Sequence, residues 1–286
     1  MNKSFLPLCC TPAAFQLMKK QVSVIDSPDA LLEGAVAIAM HQMPDIDVSH
    51  ADRTIQQYTD AIRKRVRGGQ PQALLAHLHE FLFEEQKFGG NADDYYNPMN
   101  SYLPSVLKSK RGLPISLSLI YKLIGERLGL RVHGIGLPGH FLVAVETGSV
   151  TEDGEQPAML IDPFGGGRLL TGDEAQQAVE ETFGDGVEWS NDMLQPVTNL
   201  HWLTRMIQNL LHIFGGNGQY ADVAAMLELE MLLWPKQSHL QRDLALVLAR
   251  IGMSHPASEW LNTYLRANPK DPQRSDLEQL LEVLSA

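Results

Sequence analysis

The chain has 286 residues, 44% of them hydrophobic and 20% charged, which is enough apolar material for one large domain or two ordinary ones. Its formal net charge of −11 argues against a nucleic-acid partner, because binding to phosphates needs clustered Lys and Arg. Pro7 interrupts the N-terminal stretch far short of a secretory signal, and no run reaches the roughly 18 apolar residues of a membrane span; with two adjacent cysteines, Cys9 and Cys10, unable to staple distant segments, a cytoplasmic protein with no membrane association is expected.

Residues 1–25 carry little periodicity and are expected to be a flexible N-terminus. Ser27-Pro28 then reads as a helix start, since Ser supplies a capping oxygen and Pro suits the first helical position. The nearly uniformly apolar ALLEGAVAIAM follows, and Pro44 closes it. Ile55, Tyr58, Ile62 and Val66 mark a second helix, whose basic run Arg63-Lys64-Arg65-Val66-Arg67 reads as a solvated face. Leu74, Leu75, Leu78, Phe81 and Leu82 mark a third.

FGGNADDYYNPMNSYLPSVL is dense in Gly, Asn, Asp and Pro and reads as a long loop or several turns. Loops of that length in compact domains often build sites, which makes Tyr95, Tyr96, Asn97, Asn100 and Tyr102 candidates to line a binding cleft; a packed connecting loop is the alternative. Pro114 then opens a helix that buries Leu113, Leu117, Ile120, Leu123, Ile124 and Leu128. After Gly129, VHGIGL, HFLVAVE and AMLIDPF alternate like three antiparallel strands. From about Pro196 helical periodicity returns. Gly218 and Gly252, Leu227 and Leu261, and Pro235 and Pro269 are each 34 residues apart, the period of a tetratricopeptide helix pair. So short an array is expected to need the middle domain to cover its apolar face.

Three features of the middle segment suit cysteine-type acyl transfer. A helix N-terminus follows a Gly, where the helix dipole and free N–H groups stabilise a thiolate or oxyanion. His140 opens a strand as a candidate base, and Asp162 ends the next strand, where it would orient that base. Isolated His and turn-forming Asp are also common structural residues. His133 and the triple glycine Gly165-Gly166-Gly167 read as structural, the latter because it lacks the Lys-Ser/Thr of a phosphate loop. No Cys/His cluster has metal-ligand spacing, and neither a metal nor another cofactor is expected.

The runs FGGNADDYYNPMNSYLPSVLKSKRGLPISLSLIY, GIGLPGHFLVAV and LIDPFGGG together resemble the SirB family of transglutaminase-like proteins, whose members also carry C-terminal tetratricopeptide repeats. The resemblance spans nearly the whole chain. It implies an α+β fold: a papain/transglutaminase-like core with a helical N-terminal part and a C-terminal TPR-like α-helical repeat. The expected boundaries are 26–190 for the transglutaminase-like domain, helical over 26–90 with its core at 91–190, and 191–286 for the repeat. On the transglutaminase pattern of Gly-x-Cys, then a His strand, then an Asp strand, His140 and Asp162 match two triad positions and Pro114 occupies the nucleophile slot. Proline has neither an attacking atom nor an N–H. Ser116 is the substitute to consider, but two residues along a helix turn a side chain by about 200°, and a first-turn serine satisfied by backbone groups is the alternative. Cys9 and Cys10 would have to swing in from a flexible terminus. The expected function is a non-catalytic regulatory or adaptor protein binding a protein or peptide partner through the cleft and the repeat. The alternatives are an acyl transferase or hydrolase using a non-cysteine nucleophile with His140 and Asp162, and a small-molecule sensor.

Overall fold

The computed structural model describes residues 5–66, 70–146, 148 and 158–285; Arg67 of the basic run lies outside them, as do the first four residues of the expected flexible terminus. Instead of a flexible lead, the terminus contains helix α1 (Pro12–Val22), with Pro in its first turn and Lys19 and Lys20 in its last, where cations suit the helix dipole. Ala14, Phe15, Met18 and Gln21 are buried at helical spacing. Helix α2 (Ala30–Ala39) begins after Asp29 and not at Ser27, whose carbonyl accepts the Ala30 N–H at 3.2 Å. It ends well before Pro44.

Helix α3 (Val48–Arg63) is capped by Asp47, which accepts from the His50 amide at 2.9 Å. Helix α4 (Pro71–His79) runs on as a π-helical turn over Glu80–Glu85. Arg65, from the basic run, pairs with Glu85 and lies over the Phe81 ring. The two-residue strands β1 (Gly89–Gly90) and β2 (Arg111–Gly112) pair in parallel. Between them the stretch expected to be all loop holds helix α5 (Leu103–Ser109), started by Pro104 in its first turn and closed by Lys110 at φ 62°.

Next come α6 (Pro114–Arg127), β3 (Val132–Ile135), β4 (Leu142–Glu146), β5 (Ala158–Asp162), β6 (Arg168–Leu170) and α7 (Gly172–Phe183). The sheet is an antiparallel meander in the order β3-β4-β5-β6, one strand more than the sequence suggests. His140 lies just before β4 and not within it. α7 opens with a capping box between Thr171 and Glu174. Helices α8 (Asn199–Gly216), α9 (Tyr220–Leu233), α10 (Ser238–Arg250), α11 (Ser254–Ala267) and α12 (Arg274–Ser285) complete the chain. No helix among the described residues is long and apolar enough to cross a membrane.

The chain divides into two compact units: Ile46–Trp202, and the two chain ends, up to Asp45 and from Leu203. This moves α2 out of the expected 26–190 domain and into the unit of the C-terminal helices. In the central unit α6 is buried on nearly every face and packs against α3, α5, β3 and β4. β4 is buried on both faces: Val132 reaches across to Gly125 of α6, whereas Leu142, Ala144 and Leu170 pack with Ala175 and Val179 of α7.

In the other unit the 34-residue recurrence is repeated in the backbone. Gly218 and Gly252 take φ 70° and 81°, and the next amides, Gln219 and Met253, reach back to Phe214 and Leu248 carbonyls, both at 2.9 Å. Each is a Schellman ending to the preceding helix. At the far ends Trp234 (φ −124°, ψ 63°) and Asn268 (φ −125°, ψ 67°) each precede a proline. α1 packs on α9 within this unit, and the carboxylate of Glu228 accepts the amides of Leu8 at 2.6 Å and Cys10 at 2.7 Å, with Cys9 between them.

Candidate functional site

His140 and Asp162 come together because β4 and β5 are register neighbours, Val143 facing Ile161, which places the residues before β4 beside the end of β5. His140 Nε2 lies 3.0 Å from Asp162 Oδ1, with the imidazole 25% exposed and the carboxylate 10%. Asp162 Oδ1 also accepts the amides of Phe164 at 3.0 Å and Gly165 at 3.1 Å. Burial pushes this carboxyl up, but the His140 hydrogen bond and charge, helped by those two amides, outweigh it and hold it below its ordinary value. The triple glycine is therefore a turn folded around Asp162. Gly166 and Gly167 take φ 72° and 85°, and a Cβ on Gly167 would meet Phe83 at 2.3 Å.

The Ser118 hydroxyl, fully buried, donates to the carbonyl of Phe141 at 3.2 Å, and Phe141 is the residue after His140. Pro114 lies four residues before Ser118 and so shares its face of α6. The first turn of α6 thus presents the Pro114 face, and not the Ser116 face, toward the segment that carries His140. Ser116 is 0% exposed, and its Oγ has no hydrogen-bond partner among the described residues. That differs from the expected serine satisfied by backbone groups. The Leu113 carbonyl already takes the amides of Ser116 and Leu117, and the Gly112 carbonyl takes that of Asn91.

The five loop candidates divide. Tyr95 packs edge-on against Phe164 (5.9 Å between centroids), and Phe164 packs edge-on against His140 (6.1 Å), which makes one aromatic row that Tyr96 extends into solvent. Asn97, Asn100 and Tyr102 build the loop. Asn97 caps a short 3-10 turn through the Met99 amide; the Asn100 side chain donates to the Asp94 carbonyl at 2.6 Å, and the Asn100 backbone carbonyl accepts the Leu113 amide; Tyr102 is fully buried ahead of α5. Asn100 thereby ties the loop to the residue before Pro114.

Phe164, Ser118 and Asn91 escaped the sequence reading. Asn91 binds the Asn100 amide oxygen at 3.0 Å. The signal for Phe164 was present: Gly90, whose Cβ would lie 2.5 Å from that ring, shows a close approach that only glycine permits. His133 bonds Glu146 at 2.8 Å across the β3–β4 pair and is structural. Cys9 and Cys10 are held in place by Glu228, and burial pushes their thiols up to about 11 and about 12. Among the described residues no group of three or more His, Cys, Asp or Glu could hold a metal ion.

A family described as the transglutaminase-like superfamily matches residues 49–208. A UPF0162 protein of Xylella fastidiosa (strain 9a5c) is 30% identical over 257 residues, 88% of this chain and 89% of its own. A UPF0162 protein of Pseudomonas aeruginosa is 28% identical over 197 residues, 67% of each chain. Human F-box only protein 21 is 29% identical over 243 residues, 75% of this chain but 38% of its own. No solved structure matches.

Proposed function

The chain belongs to the transglutaminase-like superfamily, and on that footing we propose that it is a non-catalytic member, a cytoplasmic regulatory or adaptor protein of the SirB type. It holds a protein or peptide segment at the His140–Asp162 cleft, and its C-terminal helix pairs, of tetratricopeptide type, supply a second contact surface. The stretch shared with F-box only protein 21 is a minority of that longer chain, which supports a unit usable alongside other domains.

Pro114 carries this proposal. Acyl transfer needs an oriented base and an attacking atom on the same side. With Nε2 turned to Asp162, Nδ1 is the ring nitrogen that would take up a proton. On the facing side of α6, Pro114 offers no proton and Ser118 gives its own to the Phe141 carbonyl.

The test restores the missing atom. Pro114→Cys is expected to react with iodoacetamide at least about tenfold faster than an exposed reference cysteine, because the helix dipole and the imidazole favour the thiolate. Cys9 and Cys10, with their raised pKa values, serve as slow internal controls. The unmodified protein should give no acyl-enzyme by intact mass with activated esters. Labelling of the unmodified protein by a fluorophosphonate, abolished by Ser116→Ala, would instead establish the enzyme alternative.

A further inference from the structure

The aromatic row beside His140 is also a surface. Phe164, Tyr95 and Tyr96 continue outward from the imidazole, with successive ring centroids 6.1, 5.9 and 5.4 Å apart. Tyr96 is 63% exposed, and Phe164 and Tyr95 are half-buried. Among the described residues of the central unit the exposed large hydrophobic side chains are Tyr96, Met99 and Leu169, and all three lie on the two segments that carry the row, 95–99 and 164–169. Exposed apolar side chains gathered on two segments in contact mark a docking surface.

The backbone beside the row is already engaged, which decides how a peptide can lie there. The Phe164 amide is given to Asp162 at 3.0 Å, and the Phe164 carbonyl accepts the Gly90 amide at 2.9 Å. The carbonyls of Asp94 and Tyr95 both accept the Asn100 side chain. A peptide that joined as an added strand would need such groups for its ladder. A polyproline II segment needs none of them: it has no internal hydrogen bonds, arrives already extended, and docks on aromatic side chains. Charge adds a direction. Asp93 and Asp94 are exposed and directly precede Tyr95, and the Asn97 amide that bonds Asp94 carries no charge, so a cationic residue suits that end of the row.

We propose that the row from His140 to Tyr96 is the docking surface for a proline-rich segment in the polyproline II conformation, with a Lys or Arg at the end that lies beside Asp93 and Asp94. The inference rests on the reading of the cleft as a peptide site and names the class of peptide. Tyr96, at the exposed end of the row, is the principal anchor. Stiff aromatic side chains and a stiff ligand both lose little freedom on binding, which suits a surface that offers few backbone hydrogen bonds.

Calorimetric titration of the full-length protein with three capped decapeptides tests this: one arginine followed by nine prolines, the same peptide with glutamate in place of arginine, and the arginine peptide with alternate prolines replaced by alanine. The first is expected to bind saturably, about tenfold tighter than the alanine-containing peptide and about threefold tighter than the glutamate one. Tyr96→Ala, at a position exposed enough to leave the fold intact, should weaken it about tenfold. No saturable binding, equal affinity for the proline and alanine peptides or for the two charge forms, or unchanged binding by Tyr96→Ala would overturn the proposal. A pool of proline-free decapeptides separates that result from failure of the underlying reading, with slower iodoacetamide alkylation of Pro114→Cys as the readout. If the pool slows alkylation and the arginine–proline peptide does not bind, the cleft takes peptides of another kind and the present inference alone falls. If neither acts, both fall.

Discussion

Asp162 in the central unit and Glu228 in the helical unit are both buried carboxylates set against backbone amides, of Phe164 and Gly165 in one case and of Leu8, Cys9 and Cys10 in the other. Their acidities nevertheless move in opposite directions. At Asp162 the adjacent His140 overcomes the effect of burial and the carboxyl titrates below its ordinary value. At Glu228 burial prevails over the same kind of amide capping, and the carboxyl titrates above it. Amides alone can hold a buried carboxylate in place, but here the adjacent imidazole decides which way its proton affinity shifts. One carboxylate holds the His140 imidazole; the other ties down the segment from Leu8 to Cys10.

Removing each carboxylate should give the largest contrast. Glu228→Ala leaves three amides without their acceptor and is expected to cost about 3 kcal/mol, since an unsatisfied buried donor costs roughly 1–3 kcal/mol and such contributions do not simply add. The loss should show in denaturant unfolding and in faster hydrogen exchange at Leu8 and Cys10. Asp162→Ala should cost about 1–2 kcal/mol, because it strands only the two turn amides beside a partly exposed cleft, yet it should abolish the fast alkylation of Pro114→Cys. Slow exchange at Leu8 and Cys10 in Glu228→Ala would show that the carboxylate is not what holds the terminus.

An effect of similar size should come from Gly90→Ala. The new methyl would press on the Phe164 ring, which packs against His140, and overpacking of this kind costs about 1–3 kcal/mol. Its mark should be a slower Pro114→Cys alkylation in a protein that still unfolds cooperatively. Unchanged alkylation would mean that Phe164 does not position His140.

The smallest effect is in pH. For Asp162 the folded value is depressed, so its contribution is present above the unfolded value near 3.8 and is lost as pH falls through the folded one. For Glu228 the folded value is raised above 4.5, so its contribution is full below 4.5 and is lost as pH rises through the folded value. Glu230, also raised by burial, acts in the same direction. Exchange protection at Leu8 and Cys10, corrected for intrinsic rates, should therefore grow as pH is lowered from 7 toward 5. Protection that shrinks over that interval would place Glu228 in the same class as Asp162.

Legibility from sequence followed the range of the interactions. The order of helix, His and Asp could be read because strand alternation and turn residues are local, and those same signals marked α6 and most of the sheet. α1 was missed because its short apolar face is paired with α9, more than 200 residues away, where Glu228 meets Cys10 at a separation of 218 residues. The aromatic row was half legible. Tyr95 stood in a Gly- and Asn-rich loop that invited attention, whereas Phe164 was hidden in a run whose glycines explained it as a turn. Asn97, Asn100 and Tyr102 showed the converse: residue types suited to a pocket that instead tie the loop to α5 and α6. Ser116 and Ser118 could be separated only by seeing which carbonyl a hydroxyl reaches.

The matched turns of the helical unit bear on how such a chain changes length. Gly218 and Gly252 end their helices with the same αL step, and Trp234 and Asn268 leave theirs at nearly the same angles ahead of a proline. A block copied from one joint to the next would meet at each end the geometry it left. Duplication or deletion in steps of 34 residues is thus the one length change that leaves both flanking joints intact, whereas an insertion of any other size has to build a new one.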